Sequence, residues 1–265
     1  MNETKLYTAL LILTGFILFQ CDNVMNNDII RDNKYRAESD FEFTVSAQGT
    51  NRIVIECMNG FIRVTGQTDS QTAVITGVKV VKSSSERDAE SYLNQLSVNV
   101  EKQASNLLVS SQQPSDNDGR DVSFEFFIRV PDFWIVQTEL VNGECTIDSL
   151  HNKAVVKVIN GNVLLQQLNC NAEIRVTNGQ IAGSVNLPLN GELFANTTNG
   201  LINLMLPSTV SAQFYAKVTN GLIQLGNLSL NDSINSQREI RGVLGSGEGD
   251  IWLETTNGNI VVNGY

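Results

Sequence analysis

Along most of the chain, apolar and polar residues alternate in short bursts, and the bursts are centred on a recurring Asn-Gly pair. Segments such as "CMNGFIRV", "VINGNVLL", "KVTNGLIQL" and "TTNGNIVV" share one layout. Apolar residues stand two and four positions before the Asn, as Val158 and Val156 do, and three and five positions after it, as Val163 and Leu165 do. Polar residues such as Glu139, Lys157, Arg175, Asn196 and Lys217 occupy the positions between. A period of two marks strands with one buried face. Each motif therefore predicts two short strands joined at Asn-Gly.

The motifs begin at Asn59, Asn142, Asn160, Asn178, Asn199, Asn220 and Asn257, and from Asn142 onward the steps are 18, 18, 21, 21 and 37 residues. Such a period points to a repeat array. Two arrangements satisfy it. Asn-Gly favours a type I′ hairpin, in which the residues two before and three after the Asn also share a face. In a parallel coil, each Asn lies above the previous one, its amide bonding along the stack, while Gly supplies positive φ at the corner. Stacking of like on like favours the second. The expected fold is all-β, a single-stranded parallel β-solenoid of 18–21-residue coils. Its corner ladder would be Asn142, Asn160, Asn178, Asn199, Asn220 and Asn257.

The segment before this array is less regular. "SSSERDAESYLNQLSVNVEKQ" opens with an N-cap candidate at Ser85 and predicts one short helix before strand alternation returns. "QQPSDNDGRD" reads as a loop, and Pro131 within "VSFEFFIRVPDFWIV" predicts a bend or a sheet edge.

At the N-terminus, Lys5 precedes the apolar run "LYTALLILTGFILFQ", which stops at Cys21 and is short for a membrane span. "LFQC" is similar to a bacterial lipobox, with Gln20 where a small residue is usual. The resemblance implies a signal peptide over 1–20 and acylation at Cys21; a plain secretory leader or an uncleaved anchor is the alternative. The polar stretch over 21–39 then reads as a tether, and 40–265 as the solenoid. Either way the body is exported. The expected location is the cell envelope, with the N-terminal lipid in the outer membrane or at the periplasmic face, or on the cell surface.

Composition narrows the function classes. Charged residues make up 17% of the chain, aromatics 7%, and the formal net charge is −10. That acidity excludes nucleic acid, whose phosphates need a basic footprint.

With these parts in order, "IECMNGFIRVTG", a charged helix, "FFIRVPDFWIV", the stacked "NG-x-I" units and the closing "GSGEGDIWLETTNGNIVV", the chain resembles the bacterial "putative adhesin" family of unknown function. The resemblance spans about Asp40 to Tyr265 and implies a parallel β-solenoid.

Candidate chemistry is sparse. His151 is the single histidine and reads as an exposed loop residue, with no cysteine or second histidine at ligand spacing. Polysaccharide-cleaving β-helices gather carboxylates across neighbouring coils. Among the outward carboxylates Glu139, Glu144, Asp148, Glu173, Glu192, Asp250 and Glu254, no two share a column in adjacent coils with an aligned Arg or Lys, so dispersed solvated charge is the expectation. "GSGEGD" occurs once and reads as a tight loop rather than a calcium site. Cys57 and Cys145 fall in apolar columns as small buried hydrophobes, Cys170 is phased differently, and at most one disulfide can form among them. No cofactor, metal or catalytic residue is expected.

One outward column stands apart. Five residues before the Asn, the last three motifs carry Phe194, Tyr215 and Trp252. These rings either form a strip for a glycan or an envelope protein, or they stack on each other or lie beneath the excursion from Gly226 to Gly245; the structural role is the expected one. The chain thus reads as a non-catalytic envelope lipoprotein, a binding or scaffolding module. A carbohydrate-active enzyme and an envelope-stress or regulatory partner are the alternatives.

Overall fold

A computed structural model of the protein describes residues 32–265. The expected leader and Cys21 lie outside the described residues. The chain runs β1 (Tyr35–Ser46), β2 (Arg52–Gln67), β3 (Thr72–Ser83), α1 (Glu86–Leu93), β4 (Ser97–Gln103), β5 (Asn106–Gln112) and β6 (Asp121–Pro131). It continues through β7 (Ile135–Asp148), β8 (Lys153–Leu168), β9 (Asn171–Asn178), β10 (Ile181–Val185), β11 (Glu192–Asn199) and β12 (Ile202–Leu206). Then follow β13 (Ala212–Asn220), β14 (Ile223–Gly226), β15 (Leu230–Asn235), β16 (Glu239–Leu244), β17 (Gly249–Asn257) and β18 (Ile260–Gly264). Strand structure opens at Tyr35, ahead of the Asp40 boundary expected from the sequence.

These 18 strands form one long, mostly parallel sheet that winds as a β-solenoid. β2, β7 and β8 lie side by side in register, Asn59 opposite Asn142 and Asn142 opposite Asn160. β8 passes the register to β9 and β10, and these pass it to β11 and β12. The next neighbours are β17 and β18, and only beyond them come β13 and β14. The order in space is therefore Asn199, Asn257, Asn220. This corrects the expectation that each Asn sits above the previous one in sequence.

The physical reason lies in the 37-residue step. After β14 the chain leaves the stack and makes the antiparallel pair β15–β16, and β16 covers the outer edge of β13. The last coil then enters on the inner side of β13, where both of its edges find partners. The outer edge of β13 is thereby covered, and the exposed edge strand β15 carries a register shift between Asn231 and Ile234, which blunts it.

Alternation puts the inward columns of the coils into one core, from Ile53 and Ile55 at one end to Phe214 and Ala216 at the other. At the N-terminal end β5 and β6 divide the edge of β2 between them, and β4, β3 and β1 add antiparallel cover. Phe124, Phe126 and Trp134 fill this end. α1 packs against β1 and β3, with Ala89, Tyr92 and Leu93 buried. Its Ser85 hydroxyl accepts from the Asp88 amide, the N-cap read from the sequence. Pro131 ends β6, where the chain turns into the segment leading to β7.

Candidate functional site

The asparagines form one continuous ladder. Asn142 Nδ2 donates to Asn59 Oδ1 at 2.7 Å, and the same bond repeats from Asn160, Asn178 and Asn199, each to its predecessor, at 2.7–2.9 Å. Asn257 donates to Asn199 and Asn220 to Asn257, both at 2.8 Å. Every amide points its nitrogen toward the Asn59 end. The glycines stack beside them so closely that a Cβ on Gly161 would lie 1.6 Å from Gly143 O. Six of these glycines have φ of 137–150°. Gly200 is the exception to the positive φ expected of it, yet a Cβ there would still meet Gly179 O at 1.7 Å. What excludes a side chain at Gly200 is the neighbouring backbone.

The aromatic column is brought together, in an order the sequence hides. Trp252 is the centre, opposite Phe194 on β11 and Tyr215 on β13. Tyr215 and Trp252 pack with ring centroids 4.1 Å apart at 41°. Arg241 on β16 lies 5.1 Å over Tyr215, and Arg175 on β9 lies 4.5 Å over Phe194. The result is a row, Arg175–Phe194–Trp252–Tyr215–Arg241, across five neighbouring strands. Tyr215 and Trp252 pack ring on ring, part of what the structural reading expected, and the excursion reaches over Tyr215 through Arg241 but leaves Trp252 partly open. It joins the sheet edge to edge through β16, and Trp252 remains 44% exposed. Beside the row is a groove of about 410 Å³, lined by Tyr215, Trp252, Gln213, Asp250, Asp232 and Ile234.

Charged side chains gather along the outward columns rather than lying dispersed as expected, because the structure makes neighbours of coils that are far apart in sequence. Because β17 lies against β11, Glu192 and Asp250 are register partners, and Glu254 faces Lys217 on β13. Nearer the N-terminal end Glu56, Glu139, Lys157 and Arg175 share one outward column. Lys157 Nζ lies 3.9 Å from Glu139, and both arginines of the aromatic row are held by glutamates, Arg175 by Glu173 at 3.0 Å and Arg241 by Glu239. A cleft of about 280 Å³ at Glu56 and Glu139 is bordered by Met58, Val141 and Ile159. Sequence reasoning missed this apolar trio. Its signal was the position just before each Asn, apolar in these three motifs and Thr in the other four.

His151 is half-exposed and pairs through Nδ1 with Asp132 Oδ2 at 3.1 Å; the Thr68 hydroxyl donates to the same oxygen. Within "GSGEGD", the Ser211 hydroxyl accepts from the Ser246 and Gly247 amides, each at 2.9 Å, and donates to Glu248. This closes a tight loop into β17. Among the described residues no group of three or more His, Cys, Asp or Glu side chains is placed to hold a metal. Cys57, Cys145 and Cys170 are free and buried. Burial pushes their thiols up, Cys57 to about 11 and Cys145 and Cys170 to about 12.

The sequence profile of the Toastrack DUF4097 family matches residues 59–263. No curated protein matches the chain. Among solved structures, a putative cell adhesion protein from Clostridium sporogenes ATCC 15579 is similar at 12% identity over 86% of this chain and 100% of that one, with a TM-score of 0.46. A putative adhesin from Bacteroides fragilis NCTC 9343 is similar at 12% identity over 86% and 97%, TM-score 0.27. A putative lipid binding protein from Parabacteroides distasonis ATCC 8503 is similar at 11% identity over 88% and 98%, TM-score 0.26.

Proposed function

The chain belongs to the Toastrack DUF4097 family, and from that premise we propose that it is a non-catalytic binding module of the cell envelope, anchored by a lipid on Cys21 and contacting its ligand through the row of Phe194, Trp252 and Tyr215. The observation that carries this reading is Trp252, an aromatic ring 44% exposed on a regular sheet face. Single exposed aromatics are ordinary on a protein surface; this one is continued on both sides in register by Phe194 and Tyr215, which makes a row able to offer contact area. The rigid sheet below holds the rings in place, so little conformational freedom is lost on contact. In this reading the Asn-Gly units are the corners of 18–21-residue coils and act as scaffold, and the N-terminal lipid keeps the module at the envelope.

The test replaces Tyr215 and Trp252 with Ser. Stability should fall by about 2–3 kcal/mol, from the ring contact and the partly buried area of both side chains, with the far-UV circular dichroism spectrum kept. Retention on an envelope fraction that holds the wild-type protein should be lost. A double variant that is retained as well as wild type would remove the row from the binding surface.

A further inference from the structure

We infer that the aromatic row takes a non-acidic glycan chain, built of uncharged or amino-bearing pyranose rings and laid across the coils from Phe194 to Tyr215. The inference rests on the reading of the row as a contact surface and adds what kind of ligand fits it.

Three observations lead there. First, the rings stand on adjacent strands about 4.8 Å apart, in a row perpendicular to the strands. Trp252 gives one side to Tyr215, and among the described residues it has no ring contact with Phe194 on the other. A platform of this kind suits a flat apolar face, which a pyranose presents through its C–H bonds.

Second, the row is flanked on both sides by hydrogen-bonding groups. Asp250 precedes Trp252 by two residues and so shares its face; Glu192 and Gln213 stand beside Asp250 in register. On the other flank are Asn196, Glu254 and Lys217. An apolar peptide or an acyl chain would leave these groups without partners, at a cost in desolvation. Hydroxyl groups around a sugar ring would donate to the carboxylates and accept from the amides.

Third, the sign of the charge selects among glycans. Arg175 and Arg241 are each committed to a glutamate, Glu173 and Glu239. Asp232, Glu192, Asp250 and Glu254 make no ion pair among the described residues, and Lys217, in register with Glu254, offsets one of these four charges. A uronic or sulfated chain entering the groove would meet a surplus of carboxylates over the one cation at Lys217, and the whole chain repels it with a net charge of −10. A neutral ring meets no such penalty, and an ammonium is attracted.

The experiment uses the full chain and its own fluorescence. The protein has two tryptophans, of which Trp134 is fully buried and Trp252 is exposed, so a change in quenching by acrylamide reports on the row. Three probes are titrated: a hexamer of N-acetylglucosamine, its deacetylated amine form, and a hexamer of galacturonic acid. The neutral hexamer should protect Trp252 from quenching, the amine form should bind at least as tightly, and the uronic hexamer should bind at least ten-fold more weakly. Asp232→Asn with Asp250→Asn should narrow the gap between the amine and uronic probes while leaving the circular dichroism spectrum unchanged. A uronic hexamer that binds as tightly as the neutral one would overturn the charge selection and leave the contact surface standing. If no hexamer protects Trp252 while the envelope fraction still discriminates wild type from the Tyr215 and Trp252 double variant, the glycan assignment fails alone. Loss of both results would take the contact surface with it.

Discussion

Three glycines separate two reasons for which a side chain can be forbidden. Gly49 lies in an exposed turn at φ +72°, with nothing within 4 Å of the place where a Cβ would be. Gly200 lies outside the left-handed region, but its Cβ would be 1.7 Å from Gly179 O. Gly161 carries both burdens, with φ +150° and a Cβ 1.6 Å from Gly143 O. Gly49→Ala should therefore cost about 1 kcal/mol, from the left-handed backbone alone. Gly200→Ala must push two coils apart by more than about 1 Å from their usual 4.8 Å spacing. That strains the backbone bonds that span this gap, from Gly179 N to Asn199 O and from Ile181 N to Leu201 O, both 2.9 Å. It also strains the side-chain bonds from Asn199 Nδ2 to Asn178 Oδ1 and from Thr197 Oγ1 to Gly179 O, the oxygen the Cβ would meet. Four bonds at about 0.5–1.5 kcal/mol each put the loss near 3 kcal/mol or above. Gly161→Ala adds roughly 1–3 kcal/mol of backbone strain. Followed by thermal melts in far-UV circular dichroism, at about 2–4 °C per kcal/mol for a body of this size, the midpoints should fall in the order Gly49, Gly200, Gly161. A Gly200→Ala protein that melts with Gly49→Ala would refute the close-approach argument. If Gly49→Ala fell as far as Gly161→Ala, backbone dihedral preference would outweigh the clash between coils.

Other outcomes follow from the same structure. Removing Gly249–Tyr265 takes out a coil with neighbours on both sides, so the truncated chain should lose cooperative melting and become protease-sensitive; a midpoint within a few degrees of full length would contradict the inserted position of β17 and β18. The milder Leu253→Ala, at a fully buried site, should cost about 2–5 kcal/mol. With Cys21→Ser in the background, Cys57, Cys145 and Cys170 should resist a thiol reagent at pH 8 in the folded protein and react in denaturant. Since their folded pKa values are raised from 9.0 to about 11–12, the unfolded chain loses its thiol protons first. Stability from these groups is therefore whole below pH 9 and declines between pH 9 and about 12, which urea titrations across that range would measure. Finally, metabolic labelling with a fatty acid should tag wild type and miss Cys21→Ser; equal labelling of both would end the lipid-anchor proposal.

Much of this body can be read from residue order alone, because burial in a strand is a local matter. A period of two tells which side chains point inward whatever the neighbouring strand is, so Val156, Val158, Val163 and Leu165 could be placed in the core before any partner was known. The Ser85 cap is equally local, needing only its own first turn. Which coil lies beside which is a different kind of fact. Parallel register joins residues far apart in the chain, and the motifs are so alike that Asn257 satisfies the slot above Asn199 as well as Asn220 does. The choice is made by β15 and β16, which occupy the outer edge of β13 and leave its inner edge for the last coil. From that single decision come the central place of Trp252, the pairing of Glu192 with Asp250, and the groove beside them. The sequence therefore determined the faces of the strands, because alternation acts over neighbouring residues; the tertiary structure decided their order, because only three-dimensional packing can choose among equivalent edges.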